Sequence, residues 1–302
     1  MFSTKAIWIK LCFREAAIDA TTLLMLRMLI AFPFYVIIWL FVRKNWKGNI
    51  TNTHYYWAIG MGLLGYYMSS LFDFIGLQYV SAGIERIILF VYPTLAVIIN
   101  RLLFKVPITK RQWQAIVITY FGIGIAYWGE IHLMPNTPLF IYGSLMVLLC
   151  GITYAFYLVG TGKLIPTMGT SIYTSVAMMA ASLGIFIHYI VAKTVNGDLQ
   201  NLYYTIPSNI VWYVIALAIF ATLVPSFLLS AGMKRVGSNN LAVITSIGPV
   251  ATLFQANWIL GETFTWQQMI GTVLVIAGVW RIKKVGVTET NPHHPDYPSP
   301  KG

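Results

Sequence analysis

Charge is scarce in this sequence. Of 302 residues only 10% are charged, with 9 acidic against 20 basic side chains. A soluble chain of this length could fill one or two domains, and it would carry charge on roughly 25% of its residues to do so. Cysteine is nearly absent too: Cys12 and Cys150 both lie in apolar segments, which excludes a disulfide framework and leaves two small buried hydrophobes. His-Glu-x-x-His, Gly-x-Ser-x-Gly and any grouping of His with acids are also missing, so the chain is read as no enzyme, with no cofactor and no resident metal. GTGK at 160–163 lacks the rest of a phosphate loop and reads as a helix end. His293 and His294 stand in a Pro-rich tail and read as solvated chain.

What is present is apolar. Hydrophobic residues make up 58% of the chain and the mean hydropathy is +0.71. A membrane span needs roughly 20 mostly apolar residues. By that measure helices are predicted at 20–42, 55–80, 83–104, 112–129, 139–160, 170–193, 207–233, 239–260 and 265–281. The run at 2–13 is half a span long and contains Lys5 and Lys10; it reads as the second half of a tenth helix, with about a dozen residues missing before it. Breaks are predicted at 43–54, 134–138, 163–169 and 195–200, where Gly, Pro, Asn and Asp collect. The stretch 285–302 is polar and proline-rich and is read as a disordered cytoplasmic tail. The fold class is therefore an all-α polytopic membrane protein, a ten-helix bundle.

The formal charge of +11 does not point to nucleic acid, because the basic residues fall in short clusters between apolar runs. Arg43, Lys44 and Lys47, then Lys105, Lys110 and Arg111, then Lys163, then Lys234 and Arg235, then Arg281, Lys283 and Lys284 occupy alternate connections; the other set offers little beyond Arg14 and Lys193. Basic loops stay inside. Both termini are thus expected in the cytoplasm, and the sequon at Asn49 with them.

Sliding the chain on itself by 156 residues lays LFDFIGLQYVSAGIERIILFVYP over FLLSAGMKRVGSNNLAVITSIGP without a gap, matching Gly76 with Gly232, Pro93 with Pro249, Thr109 with Thr265, Gln112 with Gln268 and Gly122 with Gly278. Loop charges do not match: Gln78 and Tyr79 meet Lys234 and Arg235, while Lys110 and Arg111 meet Trp266 and Gln267. Five helices per half is an odd number, so two tandem copies insert in opposite senses. The repeats are read as 1–130 and 139–284.

Three stretches, LRMLIA at 26–31, PTLAVIINRLLF at 93–104 and IGPVATLFQANWILGE at 247–262, followed by QQMIGTVLVIAGV at 267–279, resemble the EamA-type carriers of the drug/metabolite transporter superfamily. The resemblance implies a ten-helix carrier of small metabolites in a bacterial inner membrane, often an exporter. Such carriers often have an acidic residue at the end of the fourth helix. This chain has Lys105 there, whereas Glu262 is present in the second half, which makes Glu262 read as a helix-end residue.

An ionised side chain inside a bilayer costs about 2.5–3.5 kcal/mol on insertion scales, so each one in a span is a functional candidate. Arg27, Asp73, Glu85 and Arg86 all fall in the non-cytoplasmic halves of their helices. Glu85 and Arg86 point about 100° apart and cannot pair well with each other; Arg27 is the expected partner of Glu85, and Asp73 of Arg86. Arg101 is expected to snorkel and His188 to sit at an interface. Pro93 and Pro249 each remove a donor mid-span and free the carbonyls of Leu89 and Thr245, and paired interruptions mark a midplane binding site. Tyr92, with Tyr66, Tyr67, Tyr154, Tyr157 and Trp8, is a candidate wall. The function read is alternating-access transport of a small organic metabolite, an amino acid or relative, with export expected, and with Glu85 or Asp73 as the candidate for proton coupling. The competing reading is a non-transporting scaffold or lipid-carrier subunit. Expected partners are a small-molecule substrate and the bilayer; a homodimer is an open partner.

Overall fold

Helices form along the apolar runs, and in the computed structural model they account for every regular element among the described residues, 2–46, 48–105, 107–131, 137–195, 207–244, 248–263 and 265–286. In chain order they are α1 (Phe2–Glu15), α2 (Ala20–Lys44), α3 (Asn52–Leu77), α4 (Ala82–Phe104), α5 (Lys110–Ile131), α6 (Thr137–Met168) and α7 (Thr170–Val195). Then come α8, continuous through Val211–Ala218, Ile219–Leu223 and Val224–Ile244, α9 (Gly248–Gln255 with Ala256–Leu260) and α10 (Trp266–Gly286). Among the described residues, six helical stretches are long and apolar enough to cross a membrane by length and composition. At 1.5 Å per residue, the 14 residues of α1 extend about 21 Å, short of a ~30 Å hydrocarbon layer.

Two boundaries differ from the sequence reading. The turn read at 163–169 shrinks to Gly169, whose φ of +72° ends α6; Pro166 sits too near that end to break it. The break read between 233 and 239 is absent, because α8 continues to Ile244. That stretch contains no proline, and Gly alone weakens a helix without stopping it. The tail beyond 286 lies outside the described residues.

The 156-residue shift recurs in the backbone. A π-helical turn at Leu63–Met68 in α3 has its counterpart at Ile219–Leu223 in α8. Lys105, at φ 56°, ends α4 as Gly261, at φ 70°, ends α9. Thr109 and Gln112 cap α5 reciprocally, with Thr109 N–H donating to Gln112 Oε1 at 2.8 Å; Thr265 and Gln268 cap α10 in the same way at 2.9 Å. Helices α5 and α10 also pack antiparallel through an exchange of equivalent residues. Gly122 lies against the backbone of Gly271 and Val275, and Gly278 against Ala115 and Thr119. A β-carbon on either glycine would meet backbone atoms of the partner helix, so only Gly permits this approach.

The bundle is coated with large apolar side chains. Exposed tryptophans gather at helix ends: Trp57, Trp113 and Trp280 toward one end of the bundle, and Trp128, Trp212, Trp258 and Trp266 toward the other. Two such girdles match the interfacial belts of a protein surrounded by lipid.

Candidate functional site

The four charges singled out by sequence are all buried: Arg27 at 2% exposure, Asp73 at 0%, Glu85 at 1% and Arg86 at 8%. Their pairing is not the one read from the helix wheel. Asp73 pairs with Lys5 of α1, Nζ to Oδ2 2.6 Å, instead of with Arg86. Arg27 places its guanidinium 4.8 Å from the ring centre of Phe74, a cation–π contact on the helix that carries Asp73. Glu85 faces the Asp73 carboxyl, with Arg86 and Lys5 as its cationic neighbours. Among the described residues neither Glu85 oxygen nor Asp73 Oδ1 has a hydrogen-bond donor, and Arg86 Nε and Arg27 Nε and Nη2 have no acceptor. Lys5 was passed over at the sequence level because an ammonium in a short apolar segment reads as snorkelling.

Local backbone explains why Glu85 and Arg86 stop where they do. Ser81 caps α4 by accepting Ile84 N–H at 3.2 Å, and the first helical segment ends at Leu89. Phe90 and Val91 form a tight turn, with Val91 N–H bonded to Ile88 O at 3.0 Å, before Tyr92 begins the second segment with Pro93 in its first turn. The interruption that Pro93 implied is therefore present. Across it, α6 presents Gly151: a β-carbon there would lie 2.9 Å from Val91 Cγ1 and 3.7 Å from Leu89 O. In the second half Pro249 is buried in the first turn of α9; Thr245 lies outside the described residues.

A chain of tyrosines lines the interruption. Tyr92 meets Tyr154 edge-on at 5.2 Å between centroids, Tyr154 stacks on Tyr157 at 5.6 Å, and Tyr157 packs on Tyr66 at 4.8 Å while donating its hydroxyl to Tyr66 at 2.8 Å. Gly65 makes room for Tyr157, since a β-carbon on it would strike that ring. Tyr67 and Trp8, read as members of the same wall, face elsewhere: Tyr67 bonds His188 Nδ1 at 2.8 Å and Trp8 packs on Tyr213. Arg101 is exposed and binds Lys105 O at 3.3 Å, at the end of its helix. Cys150 of α6 sits between the charges and the tyrosines, its sulfur 3.2 Å from Ser69 Oγ.

A second polar group occupies the end of the bundle where α4 begins. Ala82 N–H donates to both Glu262 carboxylate oxygens, at 3.0 and 3.3 Å, and Gln268 donates to Glu130. Lys10 of α1 is the cation that faces Glu262 and Glu130. Glu262 is thus a helix-end residue, as read, but the helix it serves is α4 of the other half. Glu130 and Lys10 were missed, each being a lone charge at the margin of a span.

Among curated proteins the chain is similar to "Uncharacterized transporter YcbK" of Bacillus subtilis (strain 168), 29% identical over 295 residues, covering 95% of this chain and 92% of that protein. It is also similar to "Uncharacterized transporter YyaM" of the same organism, 29% identical over 226 residues, 73% of this chain and 70% of that one. A solved structure described only as "Crystal structure of protein" shares the fold, with a TM-score of 0.66 at 16% identity over 96% of this chain and 94% of its own. The sequence matches the EamA-like transporter family over residues 1–128 and 141–282, most of its length, so this multi-pass membrane chain belongs to that family of transporters, which are not enzymes.

Proposed function

We propose that the chain exports a small organic metabolite, an amino acid or a close relative, across a bacterial inner membrane by alternating access. Two five-helix repeats, 1–130 and 139–284, insert in opposite senses with both termini in the cytoplasm. The backbone interruption at Phe90–Val91, set between buried charges and a tyrosine chain, is the observation that carries this reading. Irregular backbone at membrane depth is tolerated where it lines a cavity, and freed carbonyls there bind polar groups of a substrate. The antiparallel exchange of Gly122 and Gly278 contacts supports opposed repeats.

Coupling to protons follows from the facing carboxyls of Asp73 and Glu85. The two carboxyls face each other beside one ammonium, Lys5, which pairs with Asp73, so a proton taken up between them would relieve their mutual repulsion. When the cavity hydrates, each regains water and the proton can leave. Purified chain in vesicles with an imposed pH gradient tests the scheme: amino-acid flux should follow the gradient, and Glu85→Gln and Asp73→Asn should abolish that dependence. Flux that ignores the gradient in the unaltered chain removes proton coupling. Absence of flux for every amino acid removes the substrate class.

A further inference from the structure

We propose that Glu262, Glu130 and Gln268 form a latch that holds the non-cytoplasmic mouth of the bundle shut, and that the cytoplasmic mouth has no equivalent. This rests on the alternating-access reading and its orientation. The latch joins the two halves of the chain at one end. Glu262, in the connection between α9 and α10, takes the first free N–H of α4 with both carboxylate oxygens, 3.0 and 3.3 Å. That site is where the partial positive charge of α4 is concentrated. Glu262 is itself fixed, because Asn257 Nδ2 donates to its carbonyl at 3.0 Å. Glu130, at the end of α5, accepts from Gln268 at the start of α10, and both are almost fully buried, at 3% and 2% exposure. Gln268 is pre-set for this: its Oε1 takes Thr265 N–H at 2.9 Å, which leaves its amide N–H groups to face Glu130. Lys10 faces both carboxylates from α1, and Ser81 lies beside Glu130.

The 156-residue shift shows that the device is one-sided. The position matching Glu262 is Val106, and the one matching Glu130 is Gly286. Gln112, the counterpart of Gln268, keeps its local cap on Thr109 and meets no carboxylate among the described residues. The bond between halves at that other end, Arg281 to Gln114 at 2.8 and 3.2 Å, is exposed. A buried charged bond is stronger than an exposed one, and its partners cannot part without being hydrated. Opening the latched mouth therefore needs water to reach Glu130 and Gln268, beside the half-buried Glu262, whereas the other mouth opens without that requirement.

Cys150 gives a native reporter. It is buried near Asp73 and Glu85, about 20 Å along α6 from Thr137 at the latched end. In a Cys12→Ala chain Cys150 is the only thiol, and its modification by a small membrane-impermeant thiol reagent can be timed separately from each face of oriented vesicles. Glu262→Ala should raise the rate from the non-cytoplasmic face about tenfold and leave or lower the rate from the cytoplasmic face. Glu262→Gln, which keeps one acceptor and disturbs folding least, should fall between, and Gln268→Leu should act in the same direction. Labelling from the cytoplasmic face that none of these variants alters, with no gain from the other face, overturns the latch while leaving the carrier reading in place. Failure to label from either face in every folded variant overturns the carrier reading and the latch with it.

Discussion

Two neighbouring clusters inside the bundle are built on opposite terms. Around Tyr66, Tyr92, Tyr154 and Tyr157, rings stack and the Tyr157 hydroxyl is passed to Tyr66, so packing and hydrogen bonding agree. Around Asp73, one ion pair with Lys5 coexists with a carboxyl group, Glu85, whose oxygens meet no donor nitrogen among the described residues, and with guanidinium nitrogens of Arg27 and Arg86 that meet no acceptor among them. A group left buried without a partner costs about 1–3 kcal/mol, and more when charged. The tyrosine cluster is satisfied by its own contacts, whereas the charges are kept at the expense of stability.

Removing an unpartnered charge and removing a bonded hydroxyl should therefore have opposite signs, read as shifts in thermal unfolding of the detergent-solubilised protein. Lys5→Met is expected to do most harm, about 3–5 kcal/mol, because it leaves two facing buried carboxylates with no ammonium. Adding Asp73→Asn to that variant should restore much of the loss. If the single variant unfolds like the unaltered chain, the ion pair is not what holds α1 to α3. Glu85→Gln should stabilise by about 1–2 kcal/mol, since it removes a charge without donors and keeps the shape. Tyr157→Phe should go the other way by about 1 kcal/mol, through the lost bond to Tyr66. A stabilising Tyr157→Phe would erase the distinction between the clusters. Arg101→Gln, in neither cluster and exposed, should stay within about 0.5 kcal/mol and serves as the baseline.

How far these clusters could be read from sequence depends on what each residue needed. Asp73, Glu85 and Arg86 announced themselves, because a charge in an apolar run is visible in one dimension. Their partners were not visible: helix geometry excluded Glu85 with Arg86 but could not choose among other helices, and the choice fell to Lys5, which stands on the half-span helix α1. The interruption in α4 was legible through Pro93, a local steric fact. The continuity of α8 past Arg235 was not, since Gly237 and the two asparagines after it permit a turn without demanding one. Glu262 was legible as a helix-end residue, while the helix it caps belongs to tertiary packing alone.

The π-helical turn at Leu63–Met68 has a consequence for how this chain tolerates change in length. Such a turn holds one residue more than an α-helix would, and each α-helical residue advances the rotation by about 100°. Loss of a single residue from that stretch would restore an ordinary α-helix and leave everything after it, Asp73 included, facing as before, whereas loss of a residue from the α-helical part just before it would swing Asp73 about 100° around the axis, away from Lys5. The matching turn at Ile219–Leu223, where the Thr222 hydroxyl ties back to Leu217 O at 2.8 Å, sets the phase of α8 in the same manner. The two halves thus carry a surplus residue apiece at matching places, where a one-residue deletion is absorbed, while the same deletion in the α-helical part before it would put the site face out of step without changing any side chain that lines it.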